Sequence, residues 1–216
     1  MNSKQNEKAV FLDRDGVINA LVYHQEQGII DSPFTVEQFG LLPRAGEAVK
    51  KLRIMGYKIV LVSNQPGIAK GHLTGEVFEK IREKMENELA RDNALLDAQY
   101  YCFHHPEAVL ENMRVACDCR KPRPGLLLKA AEEMRLDLSR SWMIGDGLTD
   151  IKAGKSAGTR TILIGKMKCE LCHYLQEDGS GPEAVCADLL EAARVIENGD
   201  KLSGIQTLKS LGKKYS

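Results

Sequence analysis

Short apolar runs alternate along the chain with segments in which apolar residues recur every three or four positions. The runs predict buried strands at Lys8 to Asp13, Lys58 to Ser63, Gln99 to Phe103, Ser141 to Gly145 and Thr161 to Ile164. The periodic segments predict helices at 45–55, Thr74 to Arg91, Pro124 to Met134 and Leu189 to Ile196. Apolar strands that alternate with helices indicate an α/β fold with a doubly wound, mostly parallel sheet.

The length of the chain fits one domain. Its 216 residues are enough for one packed core and few for two. We expect a single domain over residues 1–198 and a polar, lysine-rich tail over 199–216. Loops and predicted elements fill the intervals from Asp15 to Ser63 and from Ser63 to Lys121, so we expect no large cap domain.

The charges balance, with 30 basic residues against 30 acidic ones. Net charge therefore gives no attraction to nucleic acid or to an anionic membrane. The first residues lack the apolar core of a signal peptide, and no run approaches the ~20 apolar residues that a membrane span requires. We expect a cytoplasmic monomer whose partner is a small molecule.

Aspartate residues lie at the carboxyl ends of two of the predicted strands. The first strand leads into the motif DRDG at 13–16, and "IGDGLTD" places Asp146 after another strand, with Asp150 one helical turn later. The carboxyl ends of parallel strands meet at one edge of a sheet, where ligands bind. Asp13 and Asp15 raise each other's pKa unless a cation intervenes or their roles differ. One such motif alone is as well explained by a turn, but the second strand end favours a magnesium site.

Other polar positions at predicted strand ends and loops suit an anion. Ser63 and Asn64 end a predicted strand and precede a loop rich in glycine and proline, so their hydroxyl and amide groups offer a phosphate pocket. Lys121 adds a cation just before a predicted helix. Each is an ordinary loop residue when taken alone. Beside the carboxylates, they indicate phosphate binding.

Together these residues resemble the four motifs of the haloacid-dehalogenase-like (HAD-like) phosphatases. The motifs appear in order as D-x-D-G at 13–16, Ser63, Lys121 and G-D-x(3)-D at 145–150, within residues 8–165. The resemblance implies a Rossmannoid core with Asp13 as the nucleophile, which forms an aspartyl-phosphate. It implies that Asp15 protonates the leaving group and later deprotonates the attacking water.

The resemblance also implies the binding roles of these positions. Magnesium would be held by the carboxylates of Asp13 and Asp146 and the backbone carbonyl of Asp15, with Asp150 in support. The transferring phosphoryl group would be held by Ser63, Asn64 and Lys121. Family members often carry a lysine after the aspartate of the fourth motif, where this chain has Gly147.

A cluster of cysteine and histidine residues precedes Lys121. The pairs C-x-H and C-x-C supply the donors of a closed tetrahedral zinc site, with the potential ligands Cys102, His104, Cys117 and Cys119. Local spacing of this kind favours a metal over disulfides in a reducing compartment. Free thiols or one redox pair are the alternative interpretation, and His105 could replace His104.

Within the superfamily, this cluster resembles that of the D,D-heptose 1,7-bisphosphate phosphatases. Histidinol-phosphate phosphatases carry a related site on a shorter loop, whereas residues 105–116 here form a longer one. The resemblance implies structural zinc, Arg120 beside a second phosphate or a sugar hydroxyl, and removal of the 7-phosphate of a heptose bisphosphate. Further sugar contacts are expected from Tyr23, His24 and Phe34.

Three other functions stay open. The chain could be a histidinol-phosphate or broader small-molecule phosphatase, a DNA 3′-phosphatase, or a zinc-stabilised binding module without turnover. Intact motif residues count against the binding module, and balanced charge counts against DNA. A second C-x-x-C-H string, formed by Cys169, Cys172 and His173, could bind metal with Cys186, although unligated cysteines are the better interpretation.

Overall fold

The computed structural model describes residues 6–165 and 181–202. Its strands are β1 Ala9–Leu12, β2 Val22–His24, β3 Ile29–Asp31, β4 Lys58–Asn64, β5 Ala98–Cys102, β6 Trp142–Gly145, β7 Arg160–Ile164 and β8 Ala184–Cys186. Its helices are α1 Ala45–Ile54, α2 Gly75–Arg91, α3 Gly125–Met134, α4 Leu148–Ala157 and α5 Leu189–Leu202. Short 3-10 turns lie at Glu111–Met113 and Leu138–Arg140.

Six of the strands form a parallel sheet in the order β5-β4-β1-β6-β7-β8. The central strand is β1, in which Phe11 pairs with Val60 of β4 on one side and with Met143 of β6 on the other. The chain winds outward from β1 to β5, returns to β6 and winds outward in the opposite direction. The predicted doubly wound fold is confirmed, and its switch point lies beyond Leu12 and Gly145.

The sheet is covered on both faces, which explains why its central strands are apolar at every position. One core cluster joins Val10 and Leu12 to apolar residues of α1, α2 and α5, and the other joins Ala9 and Phe11 to residues of α3 and α4. All four residues of β1 are fully buried. In β1 and β4 the polar residues Asp13, Ser63 and Asn64 lie at or just beyond the carboxyl end of the strand, which makes that edge of the sheet the candidate site.

The five predicted strands and four predicted helices are all present, with ends shifted by a few residues. Four regular elements were not predicted: the helix α4, the hairpin strands β2 and β3, and the strand β8, each strand being three residues long. The last helix is longer than predicted and extends past residue 198 to Leu202. Residues 166–180, which contain the second cysteine and histidine string, and the tail 203–216 lie outside the described residues.

No cap domain interrupts the fully described stretch from Asp15 to Ser63, whose regular elements are the antiparallel hairpin of β2 and β3, the helix α1 and β4. This agrees with the loop-covered site expected from the sequence. None of the helices in 6–165 and 181–202 combines the length and apolarity that crossing a membrane would take.

A stack of three rings ties the hairpin loop to the loop that follows β4. Phe34 stacks on His24 at a centroid distance of 3.7 Å and on His72 at 4.5 Å. Nε2 of His24 lies 2.9 Å from the carbonyl of Ser32, so the ring N–H donates there. His24 and Phe34 are thus buried within the loop, and Tyr23 is the one of the three expected sugar contacts that is exposed, at 61%.

Candidate active site

Lys121 lies at the centre of a charged cluster at the switch point. Its Nζ is 2.9 Å from Oδ1 of Asp13 and 2.6 Å from Oδ1 of Asp150, and it donates to the carbonyl of Val62 at 2.9 Å. Burial acts against the charge of this lysine, but Asp13 and Asp150 outweigh it and raise the pKa of Lys121 above its usual range. Lys121 is therefore a fixed cation that orients two carboxylates.

The carboxylates of Asp13, Asp146 and Asp150 lie within 4.8 Å of one another. Burial raises the pKa of Asp13 to about 6, although Lys121 acts in the opposite direction. Desolvation in the cleft and the charges of Asp13 and Asp150 raise the pKa of Asp146 to about 7. One lysine does not balance three carboxylates, and Mg²⁺, which prefers oxygen donors, fits this set.

Asp150 has both of its carboxylate oxygens engaged. Oδ1 forms the ion pair with Lys121, and Oδ2 accepts from the backbone N–H of Gly147 at 3.0 Å, at the start of α4. Its side chain is 2% exposed. Asp13 and Asp146 are thus the more available metal ligands, and Asp150 supports them by fixing the lysine.

Two glycines allow the carboxylates to approach the backbone. Gly16 has φ +77°, in the left-handed region, and a Cβ there would overlap the carboxylate of Asp146. A Cβ on Gly145 would overlap the carboxylate of Asp150. The motifs therefore need glycine at both positions because a carboxylate occupies the space of the missing side chain.

The expected phosphate-binding residues lie at the end of β4. Ser63 is buried, and its Oγ accepts from Nε2 of Gln65 at 3.1 Å. The side chain of Asn64 holds the backbone of Lys121, since Nδ2 donates to its carbonyl at 3.1 Å and Oδ1 accepts from its N–H at 3.0 Å. The structure thus brings Ser63, Asn64 and Lys121 together, with the Asn64 side chain bound to the protein.

The side chain of Asp15 lies outside the carboxylate cluster and receives N–H donors from three residues. Oδ2 accepts from Nε2 of Gln65 at 2.5 Å, and Oδ1 accepts from Nδ2 of Asn19 at 2.9 Å. Buried Arg14 donates from Nε and Nη2, each at 3.2 Å. Sequence reasoning missed Asn19 and Gln65, although Gln65 directly follows the polar pair at the end of β4.

The four predicted zinc ligands lie together, with donor atoms within 4.8 Å of one another. Sγ of Cys102 is 3.1 Å from Sγ of Cys119 and 3.6 Å from Sγ of Cys117, and Nδ1 of His104 is 3.4 Å from Sγ of Cys119. Zn–S bonds of ~2.3 Å in a tetrahedron would separate the sulfur atoms by about 3.7 Å. The separation of Cys102 from Cys117 matches that value, and the separation of Cys102 from Cys119 is shorter.

The charge of the thiols also fits a metal. Burial raises the pKa of Cys102 and Cys119. Burial acts in the same direction on Cys117, but hydrogen bonds to Cys119 and to the backbone of Arg120 outweigh it and lower the pKa of Cys117 to about 7. Three thiolates this close to one another would repel, and a bound cation would offset that repulsion. His105 is not part of the cluster, and its Nδ1 instead accepts from the backbone N–H of Glu107 at 3.1 Å. His104 is therefore the histidine placed to bind zinc.

The candidate zinc loop, residues 102–119, is hydrogen-bonded to the loop that follows β4. The carbonyl of Cys102 accepts from the N–H of Gln65 at 2.8 Å, and the carbonyl of Ala69 accepts from the N–H groups of Val109 and Leu110 at 2.8 and 3.2 Å. These hydrogen bonds join the Cys/His cluster to the backbone beside the expected phosphate site.

Positive charge collects on the zinc-loop side of the cleft. Nη1 of Arg120 donates to the carbonyl of His104 at 3.3 Å. Burial, together with the charges of Lys70 and Arg120, lowers the pKa of His105. An anionic group that extends from the carboxylate cluster toward this loop would meet these cations.

An apolar cavity also borders the carboxylate cluster. A cavity of about 500 Å³ borders Asp146 and Gly16, and most of its wall is aliphatic, including Leu21, Leu42 and Leu148. The carboxylate of Asp146 therefore lies beside an apolar wall.

The fold and the site define a phosphatase of the HAD-like class, and known proteins agree. A family model described as HAD-hydrolase-like matches residues 118–192. The D-glycero-beta-D-manno-heptose-1,7-bisphosphate 7-phosphatase of Salmonella typhi is 40% identical over 156 residues, which are 72% of this chain and 79% of that protein. The protein of the same name from Photorhabdus laumondii is 43% identical over 157 residues, again 72% and 79%.

A solved structure supports the same conclusion. The D,D-heptose 1,7-bisphosphate phosphatase from B. bronchiseptica, complexed with magnesium and phosphate, superposes with a TM-score of 0.71 and 29% identity over 89% of this chain and 99% of that chain. The chain belongs to the heptose bisphosphate phosphatase family of the HAD-like phosphatases. It is a phosphatase, as the motifs predict.

Replacing Asp146 by Asn should stabilise the metal-free protein at pH 8 and remove its stabilisation by Mg²⁺. A carboxyl with a raised pKa binds its proton more tightly in the folded state, so stability falls as pH rises from 3.8 to about 7. We expect D146N to raise Tm by about 2–4 °C at pH 8, with little effect near pH 4. Calorimetry with and without Mg²⁺ measures both effects.

The control is Glu26→Gln, which removes an exposed charge on the hairpin. That variant should keep the wild-type response to Mg²⁺. An unchanged metal-free Tm in D146N, together with a retained Mg²⁺ shift, would show that Asp146 is not a metal ligand.

Replacing Cys117 by Ser should remove a bound metal from the zinc loop. We expect about one zinc per wild-type chain, much less in the variant, and a Tm lower by at least about 5 °C. Elemental analysis and thermal unfolding measure these quantities. Asp118→Asn changes an exposed side chain of the same loop and should alter neither. Fully stable wild-type protein without bound metal would contradict the prediction.

Proposed function

We propose that this phosphatase removes the 7-phosphate of D-glycero-D-manno-heptose 1,7-bisphosphate with magnesium, through an aspartyl-phosphate on Asp13. The observation that carries the proposal is the array in which Lys121 joins Asp13 and Asp150 beside Asp146, while Asp15 is held separately. The names of the relatives support the choice of substrate.

The nucleophile in this proposal is Oδ2 of Asp13. Oδ1 is occupied by Lys121 and by the backbone N–H of Arg14 at 2.7 Å, which leaves the other oxygen to attack phosphorus. As the new O–P bond forms, the bond from phosphorus to the sugar oxygen breaks, and Asp15 donates its proton to the departing alkoxide. The charges of the phosphoryl oxygens face Lys121 and the hydroxyl of Ser63.

In the second half-reaction, water attacks the phosphorus of the aspartyl-phosphate. Asp15, now ionised, takes a proton from that water, and the bond from phosphorus to Asp13 breaks with return of the carboxylate. Inorganic phosphate leaves. Each group is then in its starting protonation state.

Metal ions complete the proposed site. Magnesium would be held by the carboxylates of Asp13 and Asp146 and the backbone carbonyl of Asp15, and would offset charge on a phosphate oxygen. Zinc would be held by Cys102, His104, Cys117 and Cys119. Four protein ligands leave zinc no open position, so its role is structural.

The proposed substrate uses the cationic side of the cleft. Arg120, presented by the zinc loop, is assigned to the second phosphate or to a sugar hydroxyl. We assign these roles to a single domain that extends through α5 to Leu202 and acts as a cytoplasmic monomer on a small sugar phosphate. The balanced charge and the loop-covered site support a partner of that size rather than nucleic acid.

Phosphate release from a panel of substrates tests the proposal. The panel contains both anomers of the heptose bisphosphate, histidinol phosphate and a 3′-phosphorylated oligonucleotide, each with and without Mg²⁺. We expect Mg²⁺-dependent release from one heptose anomer at a kcat/KM at least about tenfold above every other member, a difference of ~1.4 kcal/mol. Preference for histidinol phosphate or DNA would contradict the substrate, and no release from any member would contradict the mechanism.

A further inference from the structure

The position of the Asp15 carboxylate depends on groups that the proposed mechanism does not use. To donate a proton in one half-reaction and accept one in the other, this carboxylate must stay at a fixed distance from phosphorus. Displacement of a reacting group by about 1 Å costs on the order of a hundredfold in rate. The residues that hold Asp15 therefore matter, and three are candidates.

Two of the three, Arg14 and Asn19, belong to the same turn as Asp15. Arg14 is the adjacent residue, and its contacts with the carboxylate are 3.2 to 3.4 Å long. Asn19 closes the same turn, in which the carbonyl of Asn19 also accepts from the N–H of Gly16 at 2.8 Å. These contacts move with the turn, so they do not fix Asp15 relative to the phosphate site on the neighbouring strand.

Gln65 provides that link across the cleft. Its Nε2 donates to Oδ2 of Asp15 at 2.5 Å and to Oγ of Ser63 at 3.1 Å. One planar amide therefore sets the spacing between the carboxylate that moves the proton and a hydroxyl that is proposed to bind phosphate. No other residue in 6–165 or 181–202 has a hydrogen bond to both side chains.

Gln65 is itself held firmly. Its side chain is 3% exposed, so it has no freedom to turn toward solvent. Its backbone N–H donates to the carbonyl of Cys102, a residue of the zinc cluster, at 2.8 Å. The glutamine is thus fixed at the backbone by the end of β5 and at its amide by two residues of the site.

We propose that Gln65 is a positioning residue for Asp15, which holds the carboxylate at the correct distance from the phosphoryl group in both half-reactions. The inference rests on the proposed function, because it requires Asp15 to be the acid and base. It adds a residue to the mechanism that none of the four motifs contains.

A double-mutant cycle tests this assignment. Gln65→Met keeps the approximate volume of the side chain and removes its donor, so it tests the hydrogen bond without opening a cavity. We expect Q65M to lower kcat/KM by about 10²-fold in the wild-type background and by less than about threefold in the Asp15→Asn background. In the Ser63→Ala background, the full effect of Q65M should remain.

A leaving-group comparison gives a second readout. The nitrophenolate of 4-nitrophenyl phosphate leaves without a proton, so Q65M should reduce kcat/KM for this ester much less than for the sugar phosphate. Gln27→Met, on the exposed tip of the hairpin, should change neither rate. Retention of the wild-type Tm and of its increase with Mg²⁺ shows that Q65M is folded.

Two results would overturn the assignment. The loss caused by Q65M could persist in Asp15→Asn, or it could disappear in Ser63→Ala, which would place Gln65 in phosphate binding. If the protein prefers another phosphomonoester to the heptose bisphosphate, the same double-mutant cycle is measured with that ester. The choice of substrate and the role of Gln65 are then tested separately. A wild-type protein that is inactive on every phosphomonoester would contradict both the proposed function and the role of Gln65.

Discussion

Excess negative charge at the carboxyl edge of the sheet is the constraint on which the site depends. Asp13, Asp146 and Asp150 converge there, and the pKa values of Asp13 and Asp146 are raised to about 6 and about 7. Repulsion among these carboxylates lowers the stability of the folded protein, and a cation bound between them would offset that loss. This crowding explains two features of the site. Gly16 and Gly145 leave room for the carboxylates against the backbone. Lys121 is buried between the carboxylates of Asp13 and Asp150.

The zinc loop acts on the same site from a distance. Lys121 comes two residues after Cys119, and the side chain of Asn64 clamps its backbone. Cys102, at the other end of the cluster, holds the backbone of Gln65. The Cys/His cluster is thus linked directly to Lys121 and, through Gln65, to the Asp15 carboxylate that we propose as acid and base. This explains how a loop that contains only one short 3-10 turn can hold Lys121 and Gln65 in fixed positions.

The predictability of the structure follows from how each part is stabilised. Runs such as "KIVLVS" are apolar because both faces of the sheet are covered, so strands and the carboxylates after them could be predicted. The helix α4 was missed because its buried face consists of Asp150, Ile151 and small residues, which leaves no apolar periodicity. The strand β8 is only three residues long. Gln65 acts through a contact with Asp15, 50 residues away, and sequence spacing carries no signal for such a pair.

The measurement that tests the account most directly is a burst experiment on Asp15→Asn with 4-nitrophenyl phosphate. The aryl leaving group needs no proton, so transfer to Asp13 should proceed while water attack, without its base, is slow. We predict a burst of about one nitrophenolate per chain, with the phosphoryl group found on Asp13 by peptide mass spectrometry. The Asp13→Asn variant should give no burst. Release of nitrophenolate and phosphate at equal rates, with no protein-bound phosphoryl group, would contradict Asp13 as the nucleophile.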